Sequence, residues 1–441
     1  MAGTTLKSWL GAGVTTVAHL LTAARSQPAL AEEAGYGADP DLPRPKPTRI
    51  PIMKIAPAIG WPAGQTPKPA PGFTVTAFAS KLDHPRWVYE LPNGDVLVAE
   101  SASPPSLAGA FSLREWAQSF VMARAGAGRP SANRITLLRD ADGDGVAEIK
   151  LPFLENLFSP FGMALVGDQL YVANADALVR FPYTPGATRI DAPPVKVCDL
   201  PAGRNHHWTK SLIASKDGRT LYVGVGSNSN VAEFGMHEEV NRAAILAVDV
   251  ATGAVRVFAG GLRNPVGMDW NPVTGELWTS VNERDEIGDD LVPDYMTSVK
   301  DGAFYGWPYC YYGQVVDERV SPQRPDLVAK SLKPDYALGS HTASLGLCFA
   351  SDGRLGARFA GGAFVGQHGS WNRNPPSGYR VIFVPFKDGT PAGPPEEMLG
   401  GFRTADGKAL GRPVGVIIDQ RGGLLVVDDV GDIVWRLRPA G

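Results

Sequence analysis

The sequence predicts an all-β fold, a six-bladed β-propeller, and three observations predict it. Glycine (51) and proline (38) together fill about a fifth of the 441 positions, which favours many short strands joined by turns over long helices. Apolar residues alternate over short stretches such as Phe73-Thr74-Val75-Thr76-Ala77-Phe78-Ala79, the period of a half-buried strand. One pattern also returns six times at irregular spacing: a proline or polar pair, a glycine or aromatic residue, two apolar residues, a turn and a short strand. Radial repetition of four-stranded sheets round a channel buries faces that one copy cannot bury alone. An array of β-sandwiches has no reason to repeat the Pro-x-Gly opening.

In chain order, residues 1–31 read as a secretory signal peptide. Lys7 gives a positive start, residues 9–22 are mostly apolar or small, no acid precedes Glu32, and Ala29-Leu30-Ala31 is an A-x-A cleavage site. The apolar run is too short for a stable membrane span, so a periplasmic or secreted protein is expected. Residues 32–72 are a proline-rich extension (Pro40, Pro43, Pro45, Pro47, Pro51, Pro57, Pro62) expected to run along the surface of the main domain.

The propeller is expected over 73–441. Its six copies open at His84-Pro85-Arg86-Trp87, Ser159-Pro160-Phe161-Gly162, His207-Trp208-Thr209-Lys210, Arg263-Asn264-Pro265-Val266-Gly267, Ser344-Leu345-Gly346 and Arg412-Pro413-Val414-Gly415. One insertion near 106–128 breaks the series; Leu113 to Arg124 carry helical spacing.

Composition narrows the function. A net charge of −3 and the lack of a basic run argue against nucleic acid as the main partner. Cys198, Cys310 and Cys348 are far apart, with no CxxC and no CxxCH, which excludes a disulfide framework, a thiolate zinc site and an attached c-type haem.

Chemistry concentrates at Gly203-Arg204-Asn205-His206-His207-Trp208-Thr209-Lys210, where adjacent histidines lie between two cations. Such a stretch suits proton abstraction beside an anionic cofactor, and either histidine qualifies as the base. Lys210, Arg263 with Asn264, Arg373 and Arg412 fall at corresponding blade positions, which suits an anion bearing several carboxylates or phosphates. His341 and His368 lie near similar positions, where a core histidine bonded to backbone is the plainer reading. Asp140-Ala141-Asp142-Gly143-Asp144-Gly145 has carboxylates at positions 1, 3 and 5 of a calcium loop, with Glu148 at position 9. A tight Asp/Gly turn explains it equally well. Five carboxylates crowd Asn282 to Asp290, and Glu283, Asp289 and Asp290 are the ligands expected if a hard cation neutralises them.

Taken together, several stretches resemble the quinoprotein glucose/sorbosone dehydrogenase family, its sorbosone branch most of all. These are the His-His-Trp-Thr-Lys stretch, Gly224-Val225-Gly226-Ser227-Asn228-Ser229-Asn230, Gly261-Leu262-Arg263-Asn264-Pro265, Tyr305-Gly306-Trp307-Pro308 and Asp428 to Arg436. The likeness spans roughly residues 73–438. It implies pyrroloquinoline quinone (PQQ) held with Ca²⁺ at the channel mouth and oxidation of an aldose or sugar aldehyde. By position it implies His206 as the base, Asn230 as an amide on the quinone oxygen, and Arg412 as the first of two arginines on cofactor carboxylates. The second of those positions is Val414, and Ser229 stands where the family has an arginine. Arg373 falls near the family's lysine, and the Glu283–Asp290 loop matches the calcium region without its Gly-Pro. Without a haem motif, electrons must leave to a separate acceptor, a cytochrome or a quinone. Two rivals stand beside this expectation. A calcium-dependent lactonase or esterase needs carboxylates and amides converging on one axial metal and no anion-gripping cations. A non-catalytic propeller binding a protein or glycan needs no such cluster.

Overall fold

In the computed structural model, residues 29–47, 54–105, 124–126 and 128–440 are described. They form six blades. Blade 1 is Pro85–Glu90, Val96–Glu100, Arg134–Arg139 and Ile149–Leu154. Blade 2 is Met163–Val166, Gln169–Ala173, Ala177–Pro182 and Val195–Asp199. Blade 3 is Lys210–Ala214, Thr220–Val225, Ala244–Asp249 and Val255–Gly260. Blade 4 is Pro265–Trp270, Leu277–Val281, Pro293–Ser298 and Tyr336–Ser340. Blade 5 is Ser344–Phe349, Ala363–Gln367, Arg380–Val384 and Glu396–Gly400. Blade 6 joins Pro413–Ile418, Leu424–Asp428 and Ile433–Pro439 to Phe73–Ala79 as its outer strand. The first propeller strand therefore completes the last blade, and backbone pairing closes the ring.

Within each blade the period of two sends alternate residues to opposite neighbours. Leu97 and Ala99 face blade 2 while Val96 and Val98 face blade 6. The apolar core is accordingly divided into six buried clusters, one at each blade interface.

The repeated glycine has a steric cause. A Cβ on Gly162 would lie 2.3 Å from the Leu212 amide nitrogen, and one on Gly346 would lie 2.2 Å from the Val414 carbonyl oxygen. Inner strands of adjacent blades thus approach backbone to backbone, which only glycine permits. Just inside the start of these strands, Phe161, Val266, Leu345 and Val414 share one cluster with Trp87, although they come from five blades. These side chains plug the axis and divide the channel into a front mouth, where inner strands begin, and a rear mouth, where they end. Val414 belongs to the plug, fully buried, so the position of the expected second arginine serves packing.

The proline-rich extension does run over the propeller, along its front face. Tyr36–Gly37 adds a fifth strand to blade 4, and Lys68–Pro69 adds one to blade 5. Between them the Lys46 amide donates to Ile287 O (2.9 Å), the Lys54 amide to Trp371 O (2.8 Å) and the Ile59 amide to Ala409 O (2.8 Å). The signal peptide lies outside the described residues except for Ala29, Leu30 and Ala31. The expected helix at 113–124 lies outside them except for Arg124. Among the described residues, no helix is long and apolar enough to cross a membrane.

Candidate active site at the front mouth

The six openings read from the sequence all arrive at the front mouth, because each precedes an inner strand. At blade 3, Asn205 takes a positive φ of 55° and turns the chain so that His206 stays open to solvent. The two imidazoles stand perpendicular, with centroids 4.6 Å apart. His207 Nδ1 donates to the Ser227 carbonyl (2.8 Å), which fixes its tautomer and anchors the ring. His206 has a pKa lowered to about 4, first because dense surrounding protein disfavours its charge and then because Arg263 repels it. It is therefore a neutral, accessible base at neutral pH, and the pair divides into one working ring and one tethered ring.

Behind the histidines lies an ion-pair network. Arg263 donates to Asn230 Oδ1 (3.0 Å), Asp285 Oδ2 (3.2 Å) and the Glu283 carbonyl (2.7 Å). Asn230 Oδ1 also accepts from the Asp285 amide (2.9 Å), and its Nδ2 donates to the Asp285 carbonyl (3.2 Å). His341 sets Nδ1 at 3.2 Å from Asp285 Oδ1 and Nε2 at 2.9 Å from the Gly288 carbonyl. Burial alone would raise the Asp285 carboxyl, but these partners win and hold it below its ordinary range. Asn230 and Arg263 are thus spent on building the mouth. Lys210 is fully buried with Nζ on the Trp208 carbonyl (3.0 Å), and burial pushes its pKa well down. Arg373 binds the Asp289 carbonyl (3.0 Å) and Asp290 (3.0 Å), tying that loop to the Leu30 carbonyl just before the extension.

The carboxylates expected to bind a metal do not converge. Glu283 pairs with the buried Arg284 (3.0 Å), Asp289 accepts from the Asn374 amide (3.0 Å), and Asp290 answers Arg373. The crowded charge is real, and arginines neutralise it. Among the described residues, one group of three or more metal-competent side chains has its ligand atoms within 4.8 Å: Asp140, Asp142, Asp144 and Glu148. It occupies the outer hairpin of blade 1 at the rear, where Asp140 also meets Arg421 (2.5 Å).

Sequence reasoning missed one cluster. Asp429, at the end of a blade 6 strand, receives Arg86, accepts from His368 Nε2 (2.9 Å) and offers its carbonyl to His84 Nδ1 (3.0 Å). The surrounding cations hold its carboxyl far below the ordinary range despite burial. Arg86 also lies 5.9 Å from the Trp208 ring centroid, so it reaches toward the histidine side of the mouth. Its signal was its place in the first copy, directly after the opening proline. Arg412 stacks on Tyr379 (4.8 Å) and donates to its hydroxyl (3.1 Å). Buried polar atoms without a partner here include Nε of Arg86, Nε of Arg412, Oδ1 of Asn264, Oδ1 of Asn372 and Oε1 of Glu283.

Fold and site together define a propeller whose front mouth couples an open histidine to cations and paired carboxylates. The chain belongs to the TrAA12-like family, which matches residues 138–438. In overall structure it is similar to the carbohydrate-active family AA12 protein of Trichoderma reesei (TM-score 0.69, 19% identity, 88% of this chain and 99% of that one). It is also similar to the holo PQQ domain of Coprinopsis cinerea pyranose dehydrogenase (TM-score 0.67, 20% identity, 87% and 100%). In sequence it is 30% identical over 233 residues to an uncharacterised protein of Borreliella burgdorferi, covering 52% of this chain and 60% of that protein. It is 27% identical over 224 residues to the PQQ-dependent pyranose dehydrogenase of C. cinerea, covering 41% of this chain and 30% of the relative. The chain is thus related to PQQ-dependent sugar dehydrogenases, and its match spans less than two thirds of the length of the two sequence relatives.

Proposed function

We propose that this protein is an exported PQQ-dependent dehydrogenase that oxidises an aldose or sugar aldehyde, sorbosone-like, at the front mouth. Electrons then pass to a separate cytochrome or quinone. The observation that carries the reading is His206, a neutral imidazole open to solvent among arginines. The relatives named for PQQ set the class, and the unpartnered buried donors of Arg86 and Arg412 suit an anionic group with several carboxylates. Arg86, Arg412 and the amide of Asn264 would hold the cofactor.

PQQ, when bound, supplies the acceptor for a hydride and so makes sugar oxidation a two-electron step. The chain's own residues do the rest. His206 removes the hydroxyl proton of the substrate's hemiacetal or hydrate, a role open to it at any pH above about 4 because its neutral form dominates there. His207, with its Nδ1 proton committed to Ser227, holds its neighbour in a perpendicular contact. The Arg263–Asp285–His341 network keeps the floor of the mouth fixed. Glu283, Asp289 and Asp290 are engaged by Arg284, the Asn374 amide and Arg373 and do not fit a calcium ion as side-chain ligands.

The test is dye-linked turnover of the purified protein with added PQQ, against aldoses and sorbosone. PQQ-dependent oxidation that collapses in His206→Ala is the expected result. No turnover and no PQQ binding would overturn the reading.

A further inference from the structure

Behind the axial plug the rear mouth opens as a cavity of about 460 Å³, lined by the second halves of all six inner strands. Its wall mixes apolar and aromatic residues (Tyr89, Leu165, Ile213, Trp270 and Phe349) with polar ones toward the opening. Four charged side chains also line it. Asp352 pairs with Arg354 (2.6 Å), and Asp419 pairs with Arg436 (2.7 Å). Asp269 differs. Its oxygens accept only two backbone amides, Trp270 N (2.7 Å) and Phe349 N (2.7 Å), and no cation contributes to its environment. Each carboxylate oxygen has two lone pairs, so half of its accepting capacity remains. Burial raises its carboxyl to about 6, which leaves it largely ionised at neutral pH without a counter-charge.

We infer that the rear cavity is a second ligand site, selective for a primary ammonium group carried on an apolar or aromatic body. Three features argue for that occupant. The cavity lies within the range of small-molecule sites. Its aromatic wall favours organic cations over hydrated inorganic ones. The one unanswered carboxylate supplies acceptors for N–H donors, a charge-assisted contact. The site is independent of the front-mouth chemistry, because Phe161, Val266, Leu345 and Val414 separate the two.

The probe is benzylammonium, with benzyl alcohol as its neutral isostere, titrated calorimetrically into the full wild-type chain. Benzylammonium is expected to bind about tenfold or more tightly than the alcohol at pH 7.5. That preference should fade as the pH falls through about 6 and Asp269 protonates. The other titratable or charged groups at or beside the cavity are Tyr89, Glu90, Cys348, Asp352, Arg354, Asp419 and Arg436. The two aspartates already hold their arginines, and Glu90, raised to about 7, accepts from the Gln420 amide, so the pH series is repeated in Glu90→Gln. Asp269→Asn should bind both probes alike. Because the pH series uses wild-type protein, a variant that fails to fold does not spoil the test. Equal affinity for both probes would reduce the site to an apolar hole, and binding of neither would remove it.

Discussion

The two mouths of one channel treat buried carboxylates in opposite ways. At the front, Asp285 and Asp429, with Asp317 behind them, are held below their ordinary range, because arginines and histidines outweigh burial. At the rear, Asp269 is raised to about 6 and Glu90 to about 7, because burial dominates and their bonding partners are backbone amides. The scaffold is the same, since each mouth is built from the ends of the same inner strands. The front keeps charge ionised and compensated, and leaves over arginine donors and one open imidazole. The rear stitches blades together: the Leu165 amide donates to Tyr89 Oη (3.1 Å), Trp270 Nε1 to the Ala214 carbonyl (2.9 Å), and Gln420 Nε2 to the Leu91 carbonyl (3.0 Å). Three front carboxyls, Glu239, Asp294 and Asp428, behave like the rear ones. Asp294 and Asp428 are raised to about 6, and both bond mainly to backbone amides and tryptophan or hydroxyl donors rather than to guanidinium groups. Chemistry therefore follows the cations and not the carboxylates.

Breaking the front mouth should have the largest effect. His206→Ala is expected to lower PQQ-dependent turnover by about 10²- to 10⁴-fold with an unchanged melting temperature, since the ring is open and anchors nothing. A variant that melts early instead would make His206 structural. Arg263→Ala should cost about 3–5 kcal/mol in urea unfolding, because it leaves Asp285 buried with less counter-charge. A loss under about 1 kcal/mol would mean that the network adds little to the fold.

The pH dependence of stability sharpens the contrast. Asp285 and Asp429 have folded pKa values below their unfolded ones, so their contribution is present at neutral pH and is lost as the pH falls through the carboxylate range. Asp429→Asn should flatten that acid limb. Glu90 has the opposite sign. Its folded form binds the proton more tightly, so its own contribution to stability falls as pH rises between 4.5 and about 7. Glu90→Gln should remove that decline and melt higher than wild type at pH 8 but not at pH 4.5. The smallest effect is expected from Asp142→Asn in the rear hairpin, which should leave turnover intact and abolish any rise in melting temperature on adding Ca²⁺.

The fold was legible because its cause repeats. Close backbone approach at Gly162, Gly267 and Gly346 forces the same small residue into the openings of blades 2, 4 and 5, and a recurring cause leaves a recurring trace. The site was legible only where its residues share that period, as His206 does beside the start of an inner strand, and even Arg86, which shares it, was passed over. What each cation does was not legible. Lys210, Arg263, Arg373 and Arg412 look alike in sequence, but Lys210 caps a backbone carbonyl, Arg263 and Arg373 bind loop acids, and Arg412 keeps a donor unspent. The Glu283–Asp290 cluster suggested a metal because, apart from its own Arg284, the arginines that answer it, Arg263 and Arg373, come from distant stretches of chain. Asp429 was overlooked for a similar reason, since its partners Arg86 and His368 come from blades 1 and 5.

The most direct test of the central claim, that the front mouth holds the cofactor, is calorimetric titration of PQQ into wild type, His206→Trp and Ile213→Phe. The account predicts binding to wild type and to Ile213→Phe, whose change lies in the rear cavity, and loss of binding in His206→Trp, where an indole fills the front. Binding that survives His206→Trp but is lost in Ile213→Phe would place the cofactor at the wrong end and contradict it.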